Sequence, residues 1–369
     1  MKIGVDARFL LDQKTGVETY LHELLRRVIA LGGPEEYVLF RLGRNDPRLP
    51  AGRWRRADAA GGTGLWGTLS RLRREKPDLF YSPVTAFPLA GVRRRVVTVH
   101  DLAWHHFPDL YPSDERLRHR IWLRLAVRMA DRIVAVSKTT RADLLALHPE
   151  AAGRVTVISP GVDRGLFRRA SPEEQGRARE RYGLRGRYLI SVATFHPRKN
   201  LLGLVEAYDR FRSRTGERVE LLVAGRGGSD SERIWARIAR SPYRSEIRIP
   251  GYVPREDLPA LYSAADLFVM PSRHEGFGIP PVEAMTCGAP VLVSDLPIFR
   301  EVCGEAAERV NPEDPDSIAA GIAAALREGP PRAERIRLGL ERAGAHRWET
   351  SARRLRELFR ETAVRARAA

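Results

Sequence analysis

The chain has 369 residues, 43% of them hydrophobic and 30% charged, which are the proportions of a globular protein and exclude a disordered or fibrous one. At this length two cores are expected, and no run approaches the ~18 uncharged apolar residues of a membrane helix. Asp6 and Arg8 interrupt the first apolar stretch, so a secretory leader is not expected either. The formal charge of +17 falls unevenly: residues 1–170 carry 30 basic and 18 acidic side chains, a net +12, so an acidic partner such as an anionic membrane or a nucleic acid would meet the first half.

Residues Lys2 to Arg8 read as a first strand. The loop from Asp12 to Gly16 leads into a helix whose apolar positions Val17, Tyr20, Leu21, Leu24, Leu25, Val28 and Ile29 keep the 3.6-residue period until Gly32-Gly33. A strand, a glycine-bearing loop and a helix open a Rossmann-like unit, but the Gly-x-Gly-x-x-Gly spacing of dinucleotide binding is missing. Gly16 is either a turn glycine or a place where the loop backbone approaches a ligand phosphate. Strands follow at Tyr37–Phe40, Asp78–Tyr81, Val96–Val99, Arg132–Val136 and Arg154–Ile158, with helices at Leu65–Arg74, Ser113–Ala130 and Lys138–Leu147. Such alternation predicts an α/β domain with a mostly parallel sheet covered on both faces.

The strand at Val96–Val99 ends on His100-Asp101, at the edge where parallel sheets bind ligands, and histidine is the usual proton carrier near neutrality. A structural histidine is the alternative. The helix at Ser113–Ala130 carries Arg116, Arg120, Arg124 and Arg128 at i, i+4 spacing beside Leu117, Ile121, Leu125 and Met129. It reads either as an interfacial helix for an anionic membrane or as a sheet-covering helix that buries the Leu117 stripe and solvates its arginines.

Ser171-Pro172-Glu173-Glu174 has the N-cap, proline and third-position glutamate of a helix start, and the boundary between a first domain (1–170) and a second (171–345) is placed here. The second half repeats the alternation, with strands at Tyr188–Ala193, Val219–Ala224, Ile247–Ile249, Leu267–Met270 and Val291–Ser294. Between the first of these and the next helix stand Arg198, Lys199 and Asn200, an arginine fork and a lysine point charge suited to phosphate. Lys199 is one of five lysines and Asn200 one of three asparagines, so their adjacency is not compositional noise; a solvated turn is the alternative. Cys287 and Cys303 have no metal-ligand or redox spacing, which fits a reducing, cytosolic setting.

The stretch Pro271–Pro290 places Glu275 and Glu283 eight positions apart, with Gly276 and Gly278 after the first and Pro280-Pro281 before the second. Glu283 is expected in the first turn of a helix and Glu275 in a glycine loop. Carboxylates accept hydrogen bonds from sugar and ribose hydroxyls, while loop amides and a helix start favour phosphate. The plainer alternative is a glutamate complementing its helix dipole and another lying in a solvated loop.

The string Pro271-Ser272-x-x-Glu275-Gly276-Phe277-Gly278-x-Pro280-x-x-Glu283-Ala284-Met285-x-x-Gly288-x-Pro290 resembles the E-x7-E signature of retaining glycosyltransferases of family 4. His100-Asp101, Pro160-Gly161-Val162-Asp163, the Gly225 loop, Pro250-Gly251-Tyr252-Val253-Pro254 and the segment from Trp348 to Leu355 are similar to the same family's motifs. One departure stands out: the family commonly has an arginine five residues before the phosphate lysine, and here Thr194 stands at that place before Lys199, so either Arg198 substitutes or the second phosphate contact is a different one.

This resemblance implies a GT-B fold, with two Rossmann-like domains facing across a cleft and a C-terminal helix (346–369) returning to the first. It implies retaining transfer without a metal cofactor, with the nucleotide-sugar donor in the second domain and the acceptor in the first. His100, Glu275 and Lys199 are the expected catalytic residues. Gly16, Asp101, Arg198, Gly225, Tyr252, Val253, Phe277, Gly278 and Glu283 are the expected substrate-binding ones. The pattern is nearest to mannosyltransferases of polysaccharide and O-antigen assembly, so GDP-mannose is the expected donor, with UDP-glucose or another UDP-sugar as the alternative. The acceptor is expected to be a glycan or lipid-linked saccharide, at the inner face of the cell membrane. Two rivals are a glycosidase with Glu275 and Glu283 as its acid and base, and a basic nucleic-acid-binding protein, for which no recognition motif accompanies the charge.

Overall fold

The structure, a computed structural model, describes residues 1–10, 15–40, 48–57, 65–88 and 90–364; Asp12 to Lys14 of the loop before Gly16 lie outside them. The apolar period of residues 17–29 forms α1 (Gly16–Ala30), which follows β1 (Lys2–Asp6) and starts at a capping box: the Thr15 side chain accepts the Glu18 N–H and Glu18 reaches back to the Thr15 N–H. The chain continues through β2 (Glu36–Phe40), β3 (Trp54–Arg56), α2 (Leu65–Glu75), β4 (Leu79–Ser82), β5 (Arg95–Val99), α3 (Ala103–His106), α4 (Ser113–Met129), β6 (Arg132–Ala135), α5 (Lys138–Leu147) and β7 (Val155–Val157).

The second series is α6 (Pro172–Arg181), β8 (Arg187–Val192), α7 (Leu201–Thr215), β9 (Val219–Ala224), α8 (Ser231–Ala239), β10 (Ile247–Gly251), α9 (Leu258–Ala264), β11 (Leu267–Met270), α10 (Ile279–Thr286), β12 (Val291–Ser294), α11 (Pro297–Val302) and β13 (Ala307–Val310). It closes with α12 (Pro315–Leu326), α13 (Pro330–Ala345) and α14 (Trp348–Val364). The expected helix start at Ser171 is realised as a second capping box with Glu174.

The chain divides into two units, Met1–Gly161 with Arg347–Ala369, and Val162–His346. In the first, a seven-stranded parallel sheet has the order β3-β2-β1-β4-β5-β6-β7; in the second, a six-stranded parallel sheet has the order β10-β9-β8-β11-β12-β13. Each sheet therefore grows outward in both directions from its first strand. This creates a topological switch point between β1 and β4, and another between β8 and β11, where the loops leaving adjacent strands part and open a ligand crevice. The strands are buried on both faces and read as unbroken apolar runs, such as Leu267–Met270 and Val291–Leu292-Val293.

α14 belongs to the first unit because its apolar side, Trp348, Leu355, Leu358 and Phe359, is fully buried there, with Phe359 5.4 Å from Tyr81. Two ion pairs tie it to the neighbourhood of α1: Arg27 to Glu349 at 2.8 Å and Arg360 to Glu35 at 2.6 Å. Gly161 is required by close approach, since a Cβ there would lie 2.2 Å from the Trp348 nitrogen.

Four elements differ from expectation. β3 (WRR) and β13 (AERV) are the edge strands of their sheets and carry charged residues held in ion pairs, Arg55 with Glu36 and Glu75 and Glu308 with Arg335, so neither shows the apolar run that marks the inner strands. α10 begins at Ile279 because Gly278 takes a left-handed conformation (φ 87°) as its N-cap, which moves Glu283 out of the first turn to the fifth helical position. On α4 the buried face is Leu123, Ala126 and Val127, packed with Phe87, Val97, Val99 and Ile133; of the Leu117 stripe, Leu125 and Met129 are half-buried against that core while Leu117 and Ile121 are exposed, and Arg116 is half-buried.

Candidate functional site

The loop leaving β8 tightens into a turn, Pro197–Lys199, that presents two adjacent cations. The turn is fixed by its own short-range chemistry: the His196 ring nitrogen Nδ1 accepts the Arg198 N–H at 3.1 Å. Asn200 adopts a left-handed conformation (φ 55°), and its buried amide donates to the carbonyls of Pro271 at 3.1 Å and Pro312 at 2.6 Å. Asn200 thus binds the cation turn to the end of β11 and to the segment after β13. The Arg273 N–H to Arg198 carbonyl bond, 2.9 Å, stitches the same two loops a second time.

Glu275 lies in the loop leaving β11, across the switch point. Its carboxylate receives the Lys199 ammonium on Oε1 at 2.6 Å and an Arg198 guanidinium nitrogen on Oε2 at 2.9 Å. Burial pushes the Glu275 carboxyl up, but the charges of Lys199 and Arg198 outweigh burial and hold it below the usual glutamate value. Arg198 also donates to the His274 carbonyl at 3.1 Å. All three charged side chains are largely buried, and together they carry one net positive charge. Such a cluster strengthens each hydrogen bond in it and keeps the groups in one geometry.

Glu283 sits elsewhere in the same unit. It is 5% exposed and meets Arg255 at 3.4 Å, and Arg255 stacks over the Phe167 ring at 5.3 Å. The neighbouring Tyr262 phenol is held un-ionised by burial first and by the Glu283 charge second. Phe277 is buried with its ring edge against His346, centroids 5.3 Å apart, and a Cβ on Gly278 would lie 2.8 Å from the Phe299 ring. Gly225, after β9, donates its N–H to the Gly251 carbonyl at 2.8 Å, and a Cβ there would meet the Ala193 carbonyl oxygen at 1.8 Å. The loops after β8, β9 and β10 are thereby laced together. Beyond them Val253 is buried while Tyr252 is 44% exposed.

In the first unit, His100 follows β5 and its Nε2 lies 2.7 Å from the Pro83 carbonyl. A carbonyl only accepts, so Nε2 carries the proton and Nδ1 of the neutral ring is an acceptor. Burial pushes the His100 pKa down, only partly offset by Pro83 and Asp101, so the neutral form prevails. Tyr20 holds the ring edge-on at 5.2 Å and is itself anchored by its hydroxyl to the Ile158 carbonyl at 2.8 Å. Asp101 accepts the Ala103 N–H at 3.1 Å and so has a structural task at the start of α3. Gly16 is the first residue of α1, and a Cβ added there would meet nothing within 4 Å among the described residues.

The second unit thus joins Lys199, Arg198 and Glu275 in one contact set, keeps Glu283 with Arg255, and ranges Gly225, Tyr252 and Val253 along the neighbouring loops. His100, Asp101 and Gly16 belong to the first unit. Four supporting residues were not foreseen: Arg255, Tyr262, His196 and Tyr20. Arg255 stands 28 positions before its partner Glu283, a separation with no periodic signature, and only its place directly after the Pro250–Pro254 turn hinted at it.

Residues 174–341 match the family model described as Glycosyl transferases group 1, and residues 14–166 match that described as Glycosyltransferase Family 4. The chain is 33% identical over 279 residues to the O-antigen chain mannosyltransferase B of Escherichia coli, covering 75% of this chain and 73% of that protein. It is 32% identical over 242 residues to the serotype-specific mannosyltransferase WbdA of the same organism, covering 64% of this chain but 30% of that longer protein. Among solved structures, Anabaena HepE in complex with UDP-glucose is similar with a TM-score of 0.78 at 20% identity, covering 98% of this chain and 100% of that one. Two parallel α/β units with this strand order are those of a GT-B glycosyltransferase. The chain belongs to glycosyltransferase family 4, and it is a glycosyl-transferring enzyme.

Proposed function

We propose that the protein transfers mannose from GDP-mannose, with retention of configuration, to a glycan or lipid-linked saccharide at the cytoplasmic face of a membrane, and that it uses no metal ion. The observation that carries this reading is the convergence of Arg198 and Lys199 on one anion at the switch point of the second sheet. Two adjacent cations are what a departing diphosphate requires, and fixed charge aimed at a leaving group is commonly the largest catalytic contribution.

In this reading the diphosphate takes the place of the Glu275 carboxylate on the two cations, and the released carboxylate turns to the hydroxyls of the transferred sugar. Glu283, oriented by Arg255, receives the donor ribose. The amides of Phe277 and Gly278 serve the sugar or its phosphates, Gly225 lets the donor approach its loop, and the Tyr252-Val253 backbone faces the base. His100, neutral with Nδ1 as acceptor, takes a hydrogen bond from a sugar or acceptor hydroxyl, and Gly16 admits the phosphate to its loop. Positive charge from Arg198 and Lys199 supplies what a metal ion would otherwise supply.

Mannose is favoured by the mannosyltransferase relatives; UDP-glucose is the second reading, favoured by the donor named with HepE. Glu275 does not suit the general-acid role of a glycosidase pair, which needs a raised pKa, because Lys199 and Arg198 hold its carboxyl below the ordinary value. Two buried free cysteines, Cys287 and Cys303, agree with a reducing compartment. The test is incubation with GDP-mannose or UDP-glucose and a lipid-linked saccharide, reading the anomeric configuration of the product by NMR. An α-mannosylated product from GDP-mannose is expected. Inverted product, or transfer from UDP-glucose alone, would contradict retention or the donor respectively.

A further inference from the structure

Phe277 stands between Gly276 and Gly278, so it carries the only Cβ of that stretch. Glycine leaves a backbone free to turn, and the seat of the Phe277 ring therefore decides where the amides of residues 277 and 278 point. The ring is 5% exposed and meets the His346 ring at 84°, with centroids 5.3 Å apart, an arrangement that aromatic quadrupoles favour. Gly278, at φ 87°, lies against Phe299 of α11.

His346 is itself fixed at three atoms, all within the second unit. Its N–H donates to the Ala343 carbonyl at 3.2 Å, its carbonyl accepts the Val162 N–H at 3.0 Å, and its ring Nε2 lies 3.3 Å from the Val302 carbonyl. Val302 ends α11, and the last carbonyls of a helix find no partner inside it. This one takes the His346 ring and also Arg342 Nε, at 3.0 Å. A carbonyl only accepts, so Nε2 carries the proton; burial lowers the His346 pKa against the pull of that carbonyl, and the ring is neutral. One short helix thus backs both loop residues, Phe299 directly against Gly278 and Val302 through the His346 ring against Phe277.

We infer that His346 is a positioning residue for transfer: its ring, hung from the end of α11, fixes Phe277 and so aims the 277–278 amides at the sugar or phosphates of the donor. The inference rests on the donor role proposed for those amides, and it adds a residue that touches no substrate in that reading. The nucleoside end of the donor is given to Glu283 and the Tyr252-Val253 backbone, and the diphosphate charge to Arg198 and Lys199. Loosening the loop is therefore expected to slow transfer while sparing nucleotide binding, since a misplacement of about 1 Å can cost ~100-fold in rate. The ring matters more than its hydrogen bond, because Arg342 keeps the Val302 carbonyl satisfied without it.

The experiment reads transfer and loop order in full-length variants. His346→Phe keeps a ring against Phe277 and loses the Nε2 bond; His346→Gln keeps an N–H donor and loses the ring. His346→Ala and His346→Gln should lower kcat at least ~tenfold with GDP affinity within about threefold of the parent, and His346→Phe should recover kcat to within about threefold. Phe277→Ala added to His346→Ala should cost less than about twofold more, because both remove the same contact. Hydrogen exchange of peptides covering residues 275–279, read by mass spectrometry with no donor present, should be at least ~tenfold faster in the alanine and glutamine variants and unchanged in His346→Phe. Unchanged exchange in the alanine and glutamine variants, recovery by glutamine instead of phenylalanine, or additive losses in the double variant would overturn the inference. Faster exchange with unaltered kcat would uphold the His346 contact and contradict instead the donor role given to the loop, which separates the two claims.

Discussion

The Lys199 ammonium donates a hydrogen bond to Glu275 at 2.6 Å, so the cation meant for the donor diphosphate already holds a carboxylate of its own chain. If the diphosphate takes that seat, Glu275 competes with it. Glu275→Gln is therefore expected to bind free GDP more tightly, by a factor of about three to ten, while lowering transfer ~100-fold or more. Calorimetry and turnover read the two effects separately. Weaker GDP binding in this variant would show that Glu275 supports the nucleotide directly.

The same contact sets an acid dependence. The Glu275 carboxyl has a folded pKa below its unfolded value of about 4.3. The stability it contributes is thus fully present above that value and is lost as pH falls through the folded pKa. Melting curves between about pH 3 and pH 6 should show a shallower acid limb in Glu275→Gln than in the parent. Identical slopes would mean the cluster adds nothing to stability.

Arg255 holds the other carboxylate. Arg255→Ala leaves Glu283 buried without its guanidinium, and GDP affinity is expected to fall about tenfold. Lysine should recover only part of this, lacking the planar fork that stacks on Phe167. Unchanged affinity in the alanine variant would detach Glu283 from nucleotide binding.

His100→Ala is expected to leave GDP affinity intact and to slow transfer. Because burial lowers the His100 pKa, the neutral ring is present above the ordinary histidine range and is lost only as pH falls through the lowered value. A parent rate that declines on that acidic side, and a variant that lacks the decline, would match; identical profiles would return His100 to a structural role.

Three glycines separate packing from function. Gly225→Ala and Gly278→Ala place a Cβ 1.8 Å from Ala193 and 2.8 Å from Phe299, and each should cost about 1–3 kcal/mol in thermal unfolding. Gly16→Ala meets no atom of the described residues and should stay within ~0.5 kcal/mol of the parent. Loss of transfer without loss of stability at Gly16 would assign it to ligand approach, and unchanged transfer would leave it a turn residue.

Most of the sheet architecture was legible because inner parallel strands are apolar on both faces and helices keep their 3.6 period. The edge strands Trp54–Arg56 and Ala307–Val310 were not, since they are short and interrupted by charged residues such as Arg55 and Glu308, whose partners lie on other elements. Cation and carboxylate types at the site were readable from Arg198-Lys199 and from the Glu275–Glu283 spacing. Their pairing was not, because the contact between residues 76 positions apart is made by strand order, β8 beside β11. Likewise the 3.6 period on α4 showed an arginine row beside the Leu117 stripe, whereas the face that packs is Leu123, Ala126 and Val127, with Leu125 and Met129 of that stripe half-buried against the same core.

The most direct test of the donor site is a calorimetric titration of GDP into the parent and into Lys199→Ala. The account predicts one site in the parent and an affinity at least ~30-fold weaker in the variant, since a charged contact to phosphate is lost. Equal affinities in the two proteins, or no binding of either GDP or UDP to the parent at millimolar concentration, would contradict it.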